Sequence, residues 1–273
     1  MENMNKTYPS VLSIAGSDSG GGAGIQADIK SISACGAYAA SVITATTAQN
    51  TMGVIDIHEI PLTHIQKQIQ AVLEDISFGA IKVGMLHSCE VIKLVQSQLR
   101  QYKQRNIIID PVMVATSGDK LIHDEAIACL NQFLPDALLI TPNAKEAEIL
   151  VGEMIDHHNA AAMAKKIGDR YKTSILLKGG HLNSQDQMIK DYLFLYDTKD
   201  IVTIKNQKIE TQNTHGTGCS LSSSIAAFIS LGKDLKSAVI KGCTYVHHAI
   251  DQGKNIHLGH GNGPINHFNI QED

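Results

Sequence analysis

The chain alternates short apolar runs, rich in β-branched residues, with longer stretches whose apolar residues recur at helical spacing. "SVLSIA" (10–15), "SVITATTA" (41–48), "AIKV" (80–83), "NIIID" (106–110), "ALLIT" (137–141) and "SILLK" (174–178) read as buried strands. Between them, "GIQADIKSISAC" reads as a helix stopped by Gly36. "THIQKQIQAVLEDI" places Ile65, Ile69, Val72, Leu73 and Ile76 on one helical face, with Thr63 as a candidate cap. "EVIKLVQSQLRQY" does the same with Val91, Ile92, Leu94, Val95 and Leu99, and two further helices are predicted from near Gly218 and near Leu235. Strands separated by helices need crossover connections, so the pattern predicts an α/β fold: a largely parallel sheet covered by helices on both faces. Residues 191–210, "DYLFLYDTKDIVTIKNQKIE", break the alternation and read as a small antiparallel edge element. No linker, repeat or low-complexity stretch interrupts the 273 residues. The expectation is one domain over 1–273, with 1–9 as an N-terminal extension.

Composition trims the function classes. A formal net charge of −4 argues against coating nucleic acid, which needs a basic surface. The N-terminus has no long apolar stretch, so neither signal peptide nor membrane span is expected, and the location read from this is cytoplasmic. Cys35, Cys89, Cys129, Cys219 and Cys243 are odd in number, scattered and without a CxxC pair. They read as free thiols of a reducing compartment, not as a disulfide framework or zinc site. The 13 histidines form no HExxH, and no dedicated transition-metal site is expected.

Open parallel sheets bind ligands at the carboxyl ends of their strands. Polar or glycine-rich signals gather there: "GSDSGGGAG" after the first strand, then "GML", "DPVM", "TPNAKE" and "KGGH". "GSDSGGGAG" (16–24) offers backbone N–H groups to an anion or flat ligand and also fits an ordinary strand-to-helix turn. It lacks the Gly-Lys-Ser/Thr of a P-loop. No acidic residue ends the next strand, which runs into Ala48, Gln49 and Asn50, so a nicotinamide dehydrogenase is disfavoured. "NTHGTGC" is the stronger signal: the amides of Gly216, Thr217, Gly218 and Cys219 can form an anion nest at a helix N-terminus. The helix dipole would lower the Cys219 pKa and prepare the sulfur to take a proton from an alcohol. The plain alternative is a small residue tolerated at a helix start. Asn143 and Glu146, three apart, fit Mg²⁺ held partly through water, or a helix-capping pair. Asp110 is a second acid on the same sheet edge, or a turn aspartate before Pro111. Lys178 can neutralise a transferring phosphate, or be a solvated turn lysine.

Taken in order, "IAGSDSGGGAGIQADIK", "VITATTAQNT", "KVGML", "DPVMVATSGD", "ITPNAKEAEIL", "LKGGH" and "NTHGTGCSLSSSIAA" closely resemble the hydroxymethylpyrimidine and phosphomethylpyrimidine kinases of thiamine biosynthesis, in the ribokinase-like superfamily. The resemblance runs from Val11 to about Phe268. It implies a three-layer ribokinase-like fold, ATP and Mg²⁺ as cofactors, a pyrimidine alcohol as substrate and a homodimer. It implies Gln49 on the aminopyrimidine, with Gly16, Asp28, Met85 and Val112 completing the substrate-binding set. It further implies Gly216, Thr217, Gly218 and Cys219 as the anion hole and base, and Lys178, Asn143, Glu146 and Asp110 at ATP, with Glu146 and Asp110 at the metal. Two stretches depart from the family pattern: the first loop has Asp18-Ser19-Gly20 where DPSGG is common, and Asn266 replaces the first histidine of a GxGPxHH ending. Residues 113–122 read as a flap over ATP. A pyridoxal or pyridoxine kinase and a non-catalytic nucleotide sensor are the competing readings.

Overall fold

The computed structural model describes residues 7–113, 124–180, 182 and 187–268. The chain runs β1 (Ser10–Asp18), α1 (Gly24–Ala34), β2 (Tyr38–Asn50), β3 (Gly53–Glu59), α2 (Leu62–Leu73), β4 (Ala80–Val83), α3 (Cys89–Gln101), β5 (Ile107–Ile109), α4 (Asp124–Phe133), β6 (Leu139–Ile140), α5 (Ala144–Val151), α6 (Ala160–Tyr171), β7 (Ser174–Leu177), β8 (Met188–Phe194), β9 (Ile201–Gln207), α7 (Thr217–Ser230) and α8 (Leu235–Gly253). The strands form one sheet in the order β3-β2-β1-β4-β5-β6-β7-β8-β9. Pairing is parallel from β2 through β7 and antiparallel for β3, β8 and β9.

The period-two alternation of strand side chains sorts the core into two layers. Leu12, Ile14, Ile81, Val83, Ile107, Ile109, Ile140, Ile175 and Leu177 face α2 through α6. Val11, Ala80, Ile108, Leu139 and Leu176 face α1, α7 and α8. Each fully buried Leu or Ile stabilises by about 1.5–3 kcal/mol relative to exposure. One position breaks the apolar rule. Lys82, central in β4, points to the α1 and α7 side and is fully buried.

The predicted parallel sheet and the antiparallel pair near 191–210 are both present. Three expectations are corrected. The helix after β3 begins at Leu62 behind Pro61, so Thr63 lies inside it and is not its cap. β3 was not anticipated, although it carries Val54, Ile55 and Ile57; it is a mostly exposed edge strand paired with β2. The five cysteines are not all free: Cys89 and Cys129 form a disulfide across neighbouring α3 and α4, with Cα atoms 5.4 Å apart. A separation of 40 residues hides such a pair in the sequence. Most of the expected flap, 114–122, lies outside the described residues, and no described helix is long and apolar enough to cross a membrane.

Candidate active site

The site begins at the mouth of α7. Gly216 is the N-cap with φ of +82°, and a Cβ there would collide with the Gly22 carbonyl oxygen, so only glycine fits. No side chain caps the helix. Thr217 N–H donates to Thr214 O at 3.3 Å, and Ser220 N–H to Gly216 O at 2.9 Å. The intervening amides of Gly218 and Cys219 have no backbone or side-chain acceptor among the described residues. Two N–H groups at the positive end of a 14-residue helix, left without a partner, make an anion site.

Its floor carries charge. Lys178, just past β7, donates to Asp110 Oδ1 at 3.0 Å, and Asp110 also accepts from Thr141 Oγ1 at 3.1 Å. Lys178 Nζ and Asp110 Oδ2 stand 3.3 and 3.5 Å from where a Gly218 Cβ would be. Burial pushes the Lys178 pKa down, but Asp110 and Glu146 outweigh it and hold the ammonium charged. Glu146 is buried and makes the capping box with Asn143: Asn143 N–H donates to its Oε2 at 2.8 Å, and Glu146 N–H to Asn143 Oδ1 at 2.9 Å. The capping reading of that pair holds: the Asn143 oxygen and Glu146 Oε2 both serve the cap, and Met113 N–H also reaches the Glu146 carboxylate. Burial raises the Glu146 pKa well above the usual carboxylate range, with Lys178 opposing and Asp110 adding to the rise. Two hard carboxylates against one lysine fit a Mg²⁺ ion that keeps most of its waters and leans on phosphates, not a closed protein cage.

Of the two readings of the glycine loop, the strand-to-helix turn is the one seen: three of its amides close on the chain's own carboxylate. Asp18 Oδ1 accepts from Gly20 N–H at 2.8 Å, and Oδ2 from Gly22 at 3.0 Å and Ala23 at 2.8 Å. His215 Nε2 also lies 3.0 Å from Asp18 Oδ2. Burial pushes the Asp18 carboxyl up, but His215 and these amides prevail and hold it below its ordinary value. An ionised Asp18 needs the His215 proton on Nε2. Gln49 Nε2 is 3.4 Å from that same nitrogen, and Gln49 Oε1 is 3.0 Å from Thr47 Oγ1. Thr47 already spends its one hydroxyl proton on Ser17 O at 2.9 Å. Proton counting therefore turns the Gln49 amide over, with its oxygen toward His215 and its NH₂ toward Thr47. The Gln49 backbone is pinned too: its N–H donates to Ser19 Oγ at 2.8 Å, and that hydroxyl donates to its carbonyl at 2.7 Å.

Gly16 lies against the Met85 methyl, so these two predicted substrate residues share one wall. Val112 is half-buried two residues beyond Asp110, where its N–H closes a turn on the Asp110 carbonyl at 2.8 Å. Asp28 is a correction. It is fully buried and spends its carboxylate on Lys82 Nζ (2.8 Å to each oxygen), Ser13 Oγ (2.6 Å) and Ser223 Oγ (2.7 Å), leaving no edge for substrate. The expected fall of the Cys219 pKa is a second correction. The half-buried thiol is raised to about 11, because burial outweighs the pull of Lys82. Asn266, in place of the family histidine, accepts from Phe268 N–H at 3.0 Å, and His267 packs on Ser220 Oγ at 2.9 Å. Asp18, His215 and Lys82 were missed by sequence reasoning. A lysine inside a four-residue buried strand and a histidine next to the glycine turn were the available signals.

The family model for phosphomethylpyrimidine kinase matches residues 18–266. The chain belongs to that family. It is 45% identical over 260 residues to the hydroxymethylpyrimidine/phosphomethylpyrimidine kinase of Rhizobium meliloti, covering 94% of this chain and 96% of that protein. The crystal structure of the family's Clostridium difficile 630 phosphomethylpyrimidine kinase is similar at a TM-score of 0.77 and 38% identity, over 88% of this chain and 99% of the other. An ADP complex of Bacillus subtilis pyridoxal kinase is similar at a TM-score of 0.87 and 28% identity, over 96% and 98%.

Proposed function

We propose that the protein transfers the γ-phosphoryl group of ATP to 4-amino-5-hydroxymethyl-2-methylpyrimidine, and then phosphorylates the monophosphate to the diphosphate, in thiamine biosynthesis. The observation that carries this reading is the unpartnered amide pair of Gly218 and Cys219 beside the Lys178–Asp110 ion pair. Gly216 sets the turn, and the nest amides at Gly218 and Cys219 hold the transferring oxygens while Lys178 offsets their charge. Asp110 and Glu146 would hold Mg²⁺, which supplies charge neutralisation at the phosphates. Gln49 holds the aminopyrimidine edge, with Gly16, Met85 and Val112 as the pocket wall.

In the first transfer a bond forms between the hydroxymethyl oxygen and the γ-phosphorus, the bond to the β,γ-bridging oxygen breaks, and ADP leaves. The alcohol proton passes to the Cys219 sulfur. Because that thiol rests protonated at neutral pH, the thiolate is a minor form, and the amides carry the larger share of catalysis. The second acceptor is already anionic and needs no base.

Turnover of a panel of pyrimidine and pyridine alcohols, with products separated by phosphate count, tests the reading. A diphosphate from the pyrimidine alcohol is the expected result. ATP consumption only with pyridoxal would replace it by the second reading, a pyridoxal kinase, the activity named for the similar Bacillus subtilis structure. No consumption with any alcohol would leave a nucleotide sensor. The reading includes a cytoplasmic homodimer: exposed Met52, Ile55 and Ile57 lie at the β3 edge of the sheet, and light scattering reads the mass directly.

A further inference from the structure

Two rungs join α1 to α7. On the upper rung, the Gly24 N–H faces the Cys219 sulfur. On the lower, Ser223 Oγ donates to Asp28 Oδ1 at 2.7 Å. Gly24 and Asp28 are four residues apart on α1, as are Cys219 and Ser223 on α7, so each pair stacks on one helix face. Cys219 precedes Ser223 by one helical turn, so its side chain leaves α7 on the face that meets Asp28 and Lys82. The Lys82 ammonium arrives from β4 at the same level, with no exposed surface. Two of its three N–H groups are accounted for by the Asp28 oxygens, both at 2.8 Å. It lies 2.7 Å from where a Gly84 Cβ would be, so the glycine after β4 leaves it room.

A buried lysine in a strand slot otherwise filled by apolar residues is costly, and its removal in favour of an apolar residue is often neutral or stabilising. The geometry points to Lys82 as a positioning residue, held by Asp28, whose ammonium compensates negative charge on the Cys219 sulfur. The charged groups around that sulfur are Lys82 from β4, Asp28 from α1, Asp110 after β5 and Lys178 after β7. Lys82 lowers the thiol's proton affinity and Asp28 raises it, with the lysine effect the larger. Burial works against the Lys82 charge, but Asp28, with Cys219 and Asp110, keeps it.

This inference rests on the reading of Cys219 as proton acceptor, so its test is kept apart from turnover. The rate of Cys219 alkylation by iodoacetamide, followed by peptide mass spectrometry at pH 8.5, reports the thiolate alone. Lys82→Met is expected to slow it at least about threefold, allowing for the greater nucleophilicity of a more basic thiolate. Asp28→Asn is expected to speed it. The double variant, which leaves no unpaired buried charge and so remains folded, is expected to slow it less than Lys82→Met. Cys35 and Cys243 serve as internal controls whose rates stay unchanged. Opposite signs for the two single variants support the assignment, since simple loosening speeds alkylation in both. The same sign in both single variants, or no change in either, would overturn it, as would a folded double variant as slow as Lys82→Met. If alkylation responds as expected while Cys219→Ser leaves the first transfer untouched, the Lys82–Cys219 coupling holds and the base reading alone falls.

Discussion

Two glycine-rich turns meet in this molecule, and they use their amides in opposite ways. The loop after β1 wraps its Gly20, Gly22 and Ala23 N–H groups around the chain's own Asp18. The turn into α7 leaves Gly218 and Cys219 N–H groups without an acceptor among the described residues. One turn is satisfied within the fold and acts as a rigid bracket for His215 and Gln49. The other keeps its hydrogen-bonding capacity for a ligand. A carboxylate at the right place in the loop is what separates them, and glycine content alone does not.

Variants on the two sides should therefore separate activity from stability. The largest expected loss is at the open turn. Gly218→Val, which fills the space 3.3 Å from Lys178 Nζ, should lower kcat/KM of both transfers by about 10²–10³-fold with Tm little changed. Steady-state rates beside a melting curve check it, and near-normal turnover would remove the nest from the reaction. Next, Cys219→Ser should slow the first transfer by about 10–10²-fold and the second much less. With the thiol near 11, the first-transfer rate should climb about tenfold per pH unit between pH 7 and 9, because the active form is the deprotonated one. A flat profile, or equal slowing of both steps, would count against the base. Gln49→Ala should raise KM for the pyrimidine about tenfold, the size of one or two lost hydrogen bonds, and leave KM for ATP alone.

The smallest effect on chemistry belongs to the closed loop. Asp18→Asn should cost about 2 kcal/mol of stability, a Tm drop of roughly 4–8 °C, while kcat of the folded enzyme stays within about threefold. The sign with pH follows from the lowered carboxyl. Its contribution is complete above the unfolded value of 3.8 and vanishes as pH falls through the lower folded value. Thermal melts of both proteins should converge on acidification.

The layers of the fold were legible because its strands are buried on both faces and read as unbroken apolar runs, such as "NIIID" and "SILLK". β3 escaped because Val54, Ile55 and Ile57 make only a short apolar run, interrupted by Asp56, on a mostly exposed edge strand. The nest was visible as a glycine turn before a helix, since backbone chemistry is written into glycine placement. The direction of the Cys219 shift was not: a dipole is local and readable, whereas desolvation depends on what packs around the sulfur. Asp28 sits in the resemblance as a pocket residue, yet its environment comes from Lys82, 54 residues away, and from Ser223, 195 away. Partnerships over such distances leave no mark on local spacing, and the same holds for Cys89 with Cys129.

The contrast between the two turns is most directly measured at the amides themselves. Backbone amide NMR shifts, recorded with and without a non-hydrolysable ATP analogue, Mg²⁺ and the pyrimidine alcohol, resolve the two regions in one experiment. Large changes at Gly218 and Cys219, with Gly20, Gly22 and Ala23 nearly still, are the predicted result. Strong changes at the loop amides with a silent α7 N-terminus would contradict the account.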